Sequence, residues 1–172
     1  MTKPLLQFMY HRQALEYIAV NEDTALTEAI LDICSSYLEC KYVASKTKVR
    51  VLSHLSSRAH FDMDAQMIVD SSVFFEIPQL LESPQAHIRR ESSELMATLA
   101  RKSVVAPEDS LNRIAEKLGL LLRDDNTAVV GSAVHALVRI VVWQEYDDAA
   151  MEDINDRTAL SLRPSYHLNL GS

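Results

Sequence analysis

Glycine is scarce in this chain, with three among 172 residues: Gly119, Gly131 and Gly171. Sandwiches, barrels and nucleotide-binding α/β domains need many turns at positive φ, which glycine supplies. Those classes are therefore disfavoured. Cysteine is equally sparse. Cys34 and Cys40 stand six residues apart, about 240° around a helix axis, so they would share no face. They read as two small side chains in a reducing compartment, not as a disulfide or a metal pair. An excess of positive charge is also missing. Lys and Arg number 17 against 24 Asp and Glu, for a net charge of −7, and no face looks basic enough for a phosphate footprint. No nucleic-acid partner is expected. The longest apolar stretch spans residues 128–143 and carries His135 and Arg139. It is too short and too polar to cross a bilayer. The first apolar residues are too few for a signal peptide, and no Asn-x-Ser/Thr sequon occurs. The expectation is a soluble protein without membrane insertion, cytoplasmic or nuclear.

Catalytic frames are absent too. There is no Gly-x-Ser-x-Gly and no glycine-rich phosphate loop. His60-Phe61-Asp62-Met63-Asp64 offers an imidazole and two carboxylates, but in sequence and not convergent, so it reads as a loop opening a helix. His87 and Glu91 form an i, i+4 surface pair. Arg89-Arg90-Glu91 reads as exposed charge able to grip an acidic partner. No catalytic residue, metal or cofactor is expected, and the chain does not read as an enzyme.

What is present is helix-forming composition and an internal repeat. Apolar residues make up 48% and charged residues 24%, ordinary for a folded domain. When residues 80–100 are laid over 121–141, an offset of 41, apolar or small residues coincide at Ile88/Val129, Ser92/Ala133, Leu95/Ala136, Met96/Leu137 and Leu99/Ile140. From Ile88 these positions trace one stripe of an amphipathic helix. Weaker copies centre on Leu15 and Leu52, so the anchors Leu15, Leu52, Met96 and Leu137 are spaced by 37, 44 and 41. Independently, Asp64-Ala65-Gln66-Met67 recurs as Asp148-Ala149-Ala150-Met151, 84 residues later. Units of roughly 40–47 residues fit armadillo or HEAT repeats, whereas tetratricopeptide and ankyrin units are shorter. The reading is all-α, an armadillo-type right-handed α-α superhelix of about three to four repeats, in which stacking buries what no unit can bury alone.

Helices are expected over residues 5–20, from a Thr24 cap through Ile33 and on towards Tyr42, over 45–58 and 63–70, and over 74–81, where Pro78 kinks or starts the element. Ser83 and Pro84 should cap and open the next helix, through Arg101. Pro107 and Glu108 open one to Arg123. Asp124-Asp125-Asn126 ends that helix and caps the last clear one, over 127–143. An acidic segment with a short helix near Ala149 follows. The repeat domain is set at 5–157, and 158–172 is a loosely ordered tail.

Leu80-Leu81-x-Ser83-Pro84-x3-Ile88-Arg89-x2-Ser92-x2-Leu95-Met96-x2-Leu99-Ala100 resembles the armadillo-repeat consensus. Tyr10-His11-Arg12-Gln13-Ala14 and Ser35-Ser36-Tyr37-Leu38 are similar more narrowly to armadillo-like proteins of mushroom-forming fungi. The resemblance covers residues 10–151. It implies three-helix units whose third helices line a groove for extended peptide. In peptide-binding members, groove-lining Trp and Asn flank the central Leu of the third helix by two residues on either side. The corresponding positions here are Gln13 and Tyr17, Arg50 and His54, Glu94 and Thr98, and His135 and Arg139. None is Trp or Asn, so recognition of basic import signals does not carry over. The implied function is a non-catalytic scaffold that binds another protein, as a peptide or a helix. The alternative is an assembly subunit. The pattern fades after Asp148, which leaves Val138, Val141, Val142 and Trp143 as an exposed patch at the array's end. The chain then either self-associates there or is a fragment of a longer array.

Overall fold

The computed structural model describes Glu16 and residues 25–101 and 104–142. Between 25 and 142 the described residues form seven helices and no strand. They are α1 (Glu28–Glu39), α2 (Ser45–Arg58), α3 (Asp62–Asp70), α4 (Ser72–Leu81), α5 (Ala86–Leu99), α6 (Glu108–Leu121) and α7 (127–142). Glu16 is helical; the rest of the expected helix at 5–20, the acidic segment, the second Asp-Ala-x-Met copy, both ends of the 5–157 domain and the tail lie outside the described residues.

The helix starts follow local chemistry, with two corrections. Thr27, not Thr24, caps α1: its Oγ1 accepts the Ile30 N–H at 3.3 Å. The helix expected from Ser83 starts instead at Ala86, and Gln85 is its uncapped N-cap. The Ser83 hydroxyl accepts the Gln85 N–H at 3.3 Å, a local turn that competes with helix propagation. Pro78 does not start α4 but lies inside it, at the cost of one i to i−4 hydrogen bond. Pro107 precedes α6 and Asn126 caps α7, as expected. The Asn126 Oδ1 accepts the Ala128 N–H at 3.0 Å and the Val129 N–H at 3.4 Å.

Two rows of helices result. In one, α1 packs on α4 and α4 on α6. In the other, α2 packs on α5, and α5 is joined to α7 by the Ser132–Glu94 side-chain hydrogen bond. The rows are tied to each other by α1 on α2 and α4 on α5, and the short α3 links α2 to α4. The second row is periodic: α2, α5 and α7 begin at 45, 86 and 127, two steps of 41. The first step departs by three residues from the 44 that separates the anchors Leu52 and Met96. Three residues are nearly one helical turn, so both registers place the same face inward.

The amphipathic stripe is the reason the rows adhere. Ile88, Ser92, Leu95 and Leu99 of α5 are buried, and so are Val129, Ala133, Ala136 and Ile140 of α7, each 41 residues further on. Each large aliphatic side chain removed from water contributes on the order of 1.5–3 kcal/mol. Phe74, Ile77 and Leu81 of α4 and Leu52 and Leu55 of α2 join the same continuous core. Neither row could bury these groups alone, so the helices are stable only when stacked.

Candidate interaction face

The second row places the sequence-derived positions one after another along α2, α5 and α7. Arg50 is exposed and His54 half-buried on α2. Glu94 and Thr98 are half-buried on α5, and His135 and Arg139 are half-buried on α7. Gln13 and Tyr17 lie outside the described residues, as does Trp143. By helix starts, Ser53 and Ser57, both exposed, are the α2 residues that match Glu94 and Thr98. Arg50 and His54 stand three residues before them, by the 44-residue anchor spacing.

Several of these groups already bond within the protein. Glu94 Oε1 accepts the Ser132 hydroxyl at 2.6 Å, which ties α5 to α7. The Thr98 hydroxyl donates to the Glu94 carbonyl at 3.0 Å. An Arg101 Nη2 lies 3.4 Å from His135 Nε2. Between α5 and α7 opens a shallow cleft of about 480 Å³, lined by Arg90, Glu91, Glu94, Ala128, Gly131 and Ser132. A Cβ added at Gly131 would meet nothing within 4 Å, so the glycine keeps the cleft floor open without being sterically required. A second cleft, of about 400 Å³, lies between α1, α3 and α4 against Leu31 and Met67, off this row.

The residues that sequence reasoning missed are those joining the units. Arg89 is not free to grip an acidic partner. Its Nε and Nη2 donate to the two Asp124 oxygens at 2.7 and 2.9 Å, and Nη1 donates to the Ser83 carbonyl at 2.7 Å. These hydrogen bonds hold the Asp124 carboxyl below its ordinary range, helped by the Asn126 N–H. Arg90 pairs with Glu91, which raises the guanidinium pKa further. The His60–Asp64 stretch is also structural: Arg58 Nε donates to Asp64 at 2.6 Å and the guanidinium lies 4.8 Å from the Phe61 ring centre. In the loop before α6, the Gln66 side chain brackets the Val105 peptide, accepting its N–H at 3.0 Å and donating to its C=O at 3.2 Å. For Arg89–Asp124 and Gln66–Val105 the only sequence signal is opposite charge or an amide 35 and 39 residues apart, too far for any local pattern to reveal.

Among the described residues no cluster of His, Cys, Asp and Glu could hold a metal ion, and no helix is long and apolar enough to cross a membrane. Both cysteines are free thiols. Burial pushes the Cys34 thiol up to about 12, so it is inert at neutral pH.

No family model matches the chain, and no curated protein matches it. Among solved structures, it is similar to a crystal structure of an engineered protein, a Northeast Structural Genomics Consortium target. The TM-score is 0.54 and the identity 18%, over 74% of this chain and 54% of that one. The chain thus spans about half the length of that neighbour, and the likeness is one of fold.

Proposed function

We propose that this chain is an armadillo-type, right-handed array of about three to four helical units that works as a non-catalytic scaffold. A partner peptide or helix lies along the row formed by α2, α5 and α7. One observation carries the reading: these three helices recur at intervals of 41 residues in a single row, with polar or ionisable side chains at matching positions. Helices that recur at an even sequence interval in one row offer an extended partner a similar contact once per unit. The bonds among Glu94, Ser132, Arg101 and His135 hold those side chains in place before a partner arrives, which lowers the ordering cost of binding.

The test is affinity capture with tagged wild-type protein and an Arg139→Glu, His135→Ala double variant, beside circular dichroism of both. The variant should melt like the wild type and lose the partner that the wild type retains. Equal recovery by the two proteins would refute this placement of the binding face.

A second reading, an assembly subunit that stacks end to end with another repeat protein, is favoured by the exposure of Val138, Val141 and Val142 on α7. Hydrogen exchange separates the two. Protection on ligand addition falls along α2 and α5 for groove binding, and on α7 for stacking.

A further inference from the structure

Charge that is mixed along the chain is sorted by the fold. The helices α2, α5 and α7 carry seven Lys and Arg against two Glu, whereas α1, α4 and α6 carry two Lys and Arg against seven Asp and Glu. The chain as a whole is acidic, yet its second row is a cationic face and its first an acidic one.

The cations of the second row differ in what they already do. Arg58, Arg89 and Lys48 are engaged within the protein, by Asp64, Asp124 and the Leu38 carbonyl. Lys46 and Arg50 are exposed and Arg139 is half-buried, and among the described residues no acid meets any of the three. Arg90 pairs with Glu91, but its side chain is 48% exposed and lines the cleft between α5 and α7. Arg101, just past the end of α5, is exposed beside His135. The two acids of the row are occupied, Glu91 by Arg90 and Glu94 by the Ser132 hydroxyl. Unneutralised like charges on one face repel each other, and an anionic partner relieves that repulsion.

The available cations form two groups. Since α2 packs on α5, the 41-residue interval puts Lys46 in register with His87 and Arg50 with Glu91, beside Arg90. Arg101, His135 and Arg139 make the second group, where α5 meets α7. Eleven residues separate Arg90 from Arg101, about 16 Å along a helix, with Glu94 between them. An extended peptide covers that length in about five residues.

We propose that the second row takes an acidic extended peptide whose Asp or Glu side chains fall in two clusters about five residues apart. One cluster meets Lys46, Arg50 and Arg90, the other meets Arg101 and Arg139, and a neutral stretch passes Glu94. The proposal rests on partner binding along this row and adds the chemistry of the partner. A nucleic acid fits less well, because its regularly spaced phosphates would also pass Glu94 and because a net charge of −7 repels a polyanion.

The test uses the full chain and three fluorescent peptides of one length, read by anisotropy. One has acids at both ends, one has the same acids gathered at its centre, and one has glutamines in their place. The end-charged peptide should bind about threefold or more tighter than the centre-charged one and about tenfold tighter than the glutamine one, and its affinity should fall as salt rises. Lys46→Glu and Arg139→Glu should each weaken it about fivefold or more. Arg113→Glu, an equal change of charge at an exposed site on α6, should leave it within about twofold of wild type. Lys46 is exposed, so its variant carries the test should Arg139→Glu fail to fold. The proposal is overturned if the end-charged peptide binds no better than the glutamine one, or if Arg113→Glu costs as much as Lys46→Glu. It is equally overturned if a single-stranded oligonucleotide of the same charge binds more tightly than the end-charged peptide. A glutamine peptide that binds as well, but is lost with Arg139→Glu, removes the acidic preference and keeps the row as the binding face. Peptide binding that neither row variant alters removes both.

Discussion

Replacing Asp124 by Ala tests the joint between the last two stacked units. In the wild type, Asp124 receives two hydrogen bonds from Arg89, at 2.7 and 2.9 Å. The carboxylate is 7% and the guanidinium 17% exposed. Removing one member of a fully buried pair costs about 3–5 kcal/mol, because the other charge is left without compensation. Here Arg89 keeps its bond to the Ser83 carbonyl, and water reaches part of the guanidinium, so the expected loss is about 2–3 kcal/mol. For a chain of this length that is roughly 4–12 °C in Tm, read by calorimetry or by the helical dichroism signal at neutral pH. Two controls isolate the cause. Arg89→Met with Asp124→Leu should recover at least half of the loss, since neither charge is then buried alone. The second control is acid. The folded Asp124 pKa is depressed, so its contribution is complete above the unfolded value of roughly 3.9. That contribution is lost as pH falls through the folded value, and the gap between wild type and Asp124→Ala should close below about pH 4. A Tm shift under about 2 °C at neutral pH, or a gap that persists undiminished into acid, would refute the reasoning.

Three smaller changes probe other joints. Gly131→Ala, at an exposed mid-helix site where a Cβ meets nothing within 4 Å, should stabilise by about 0.5–1 kcal/mol in urea unfolding. A destabilised variant would show that the cleft floor is tighter than described. Asn126→Ala removes the side-chain cap of α7 and should cost about 1 kcal/mol, measured the same way. The Ser56 hydroxyl is buried with no hydrogen-bond partner, and the matching residue on α5 is Ala97. Ser56→Ala should therefore be neutral or stabilising, by up to about 1 kcal/mol, and a clear loss would reveal a partner for that hydroxyl.

Much of this protein was legible in one dimension. The near-absence of glycine excluded turn-rich folds, and the stripe from Ile88 to Leu99, repeated at Val129 to Ile140, identified both the helices and their interval. Local rules located most helix ends, because the chemistry of a cap lies within three or four residues. Two caps escaped for a local reason. Thr24 and Thr27 are equally good candidates in sequence, and Ser83 can close a turn as well as cap a helix. The second row was legible as a set of positions, whereas the offset that relates α2 to α5 was not. A three-residue slip returns almost the same side of a helix, so hydrophobic pattern alone cannot distinguish 41 from 44.

Sequence alone thus determined that the chain is helical, repetitive and apolar along one stripe per unit, since these properties follow from spacings shorter than a helix. Only the tertiary structure decided which charges are engaged. Arg89 looks like a surface cation until Asp124, 35 residues away, is brought beside it, and Gln66 looks like any helix-surface amide until the Val105 peptide lies against it. Pairings across a stacked interface depend on how two units meet, and that meeting is set by the summed packing of many apolar side chains, not by the few residues that pair.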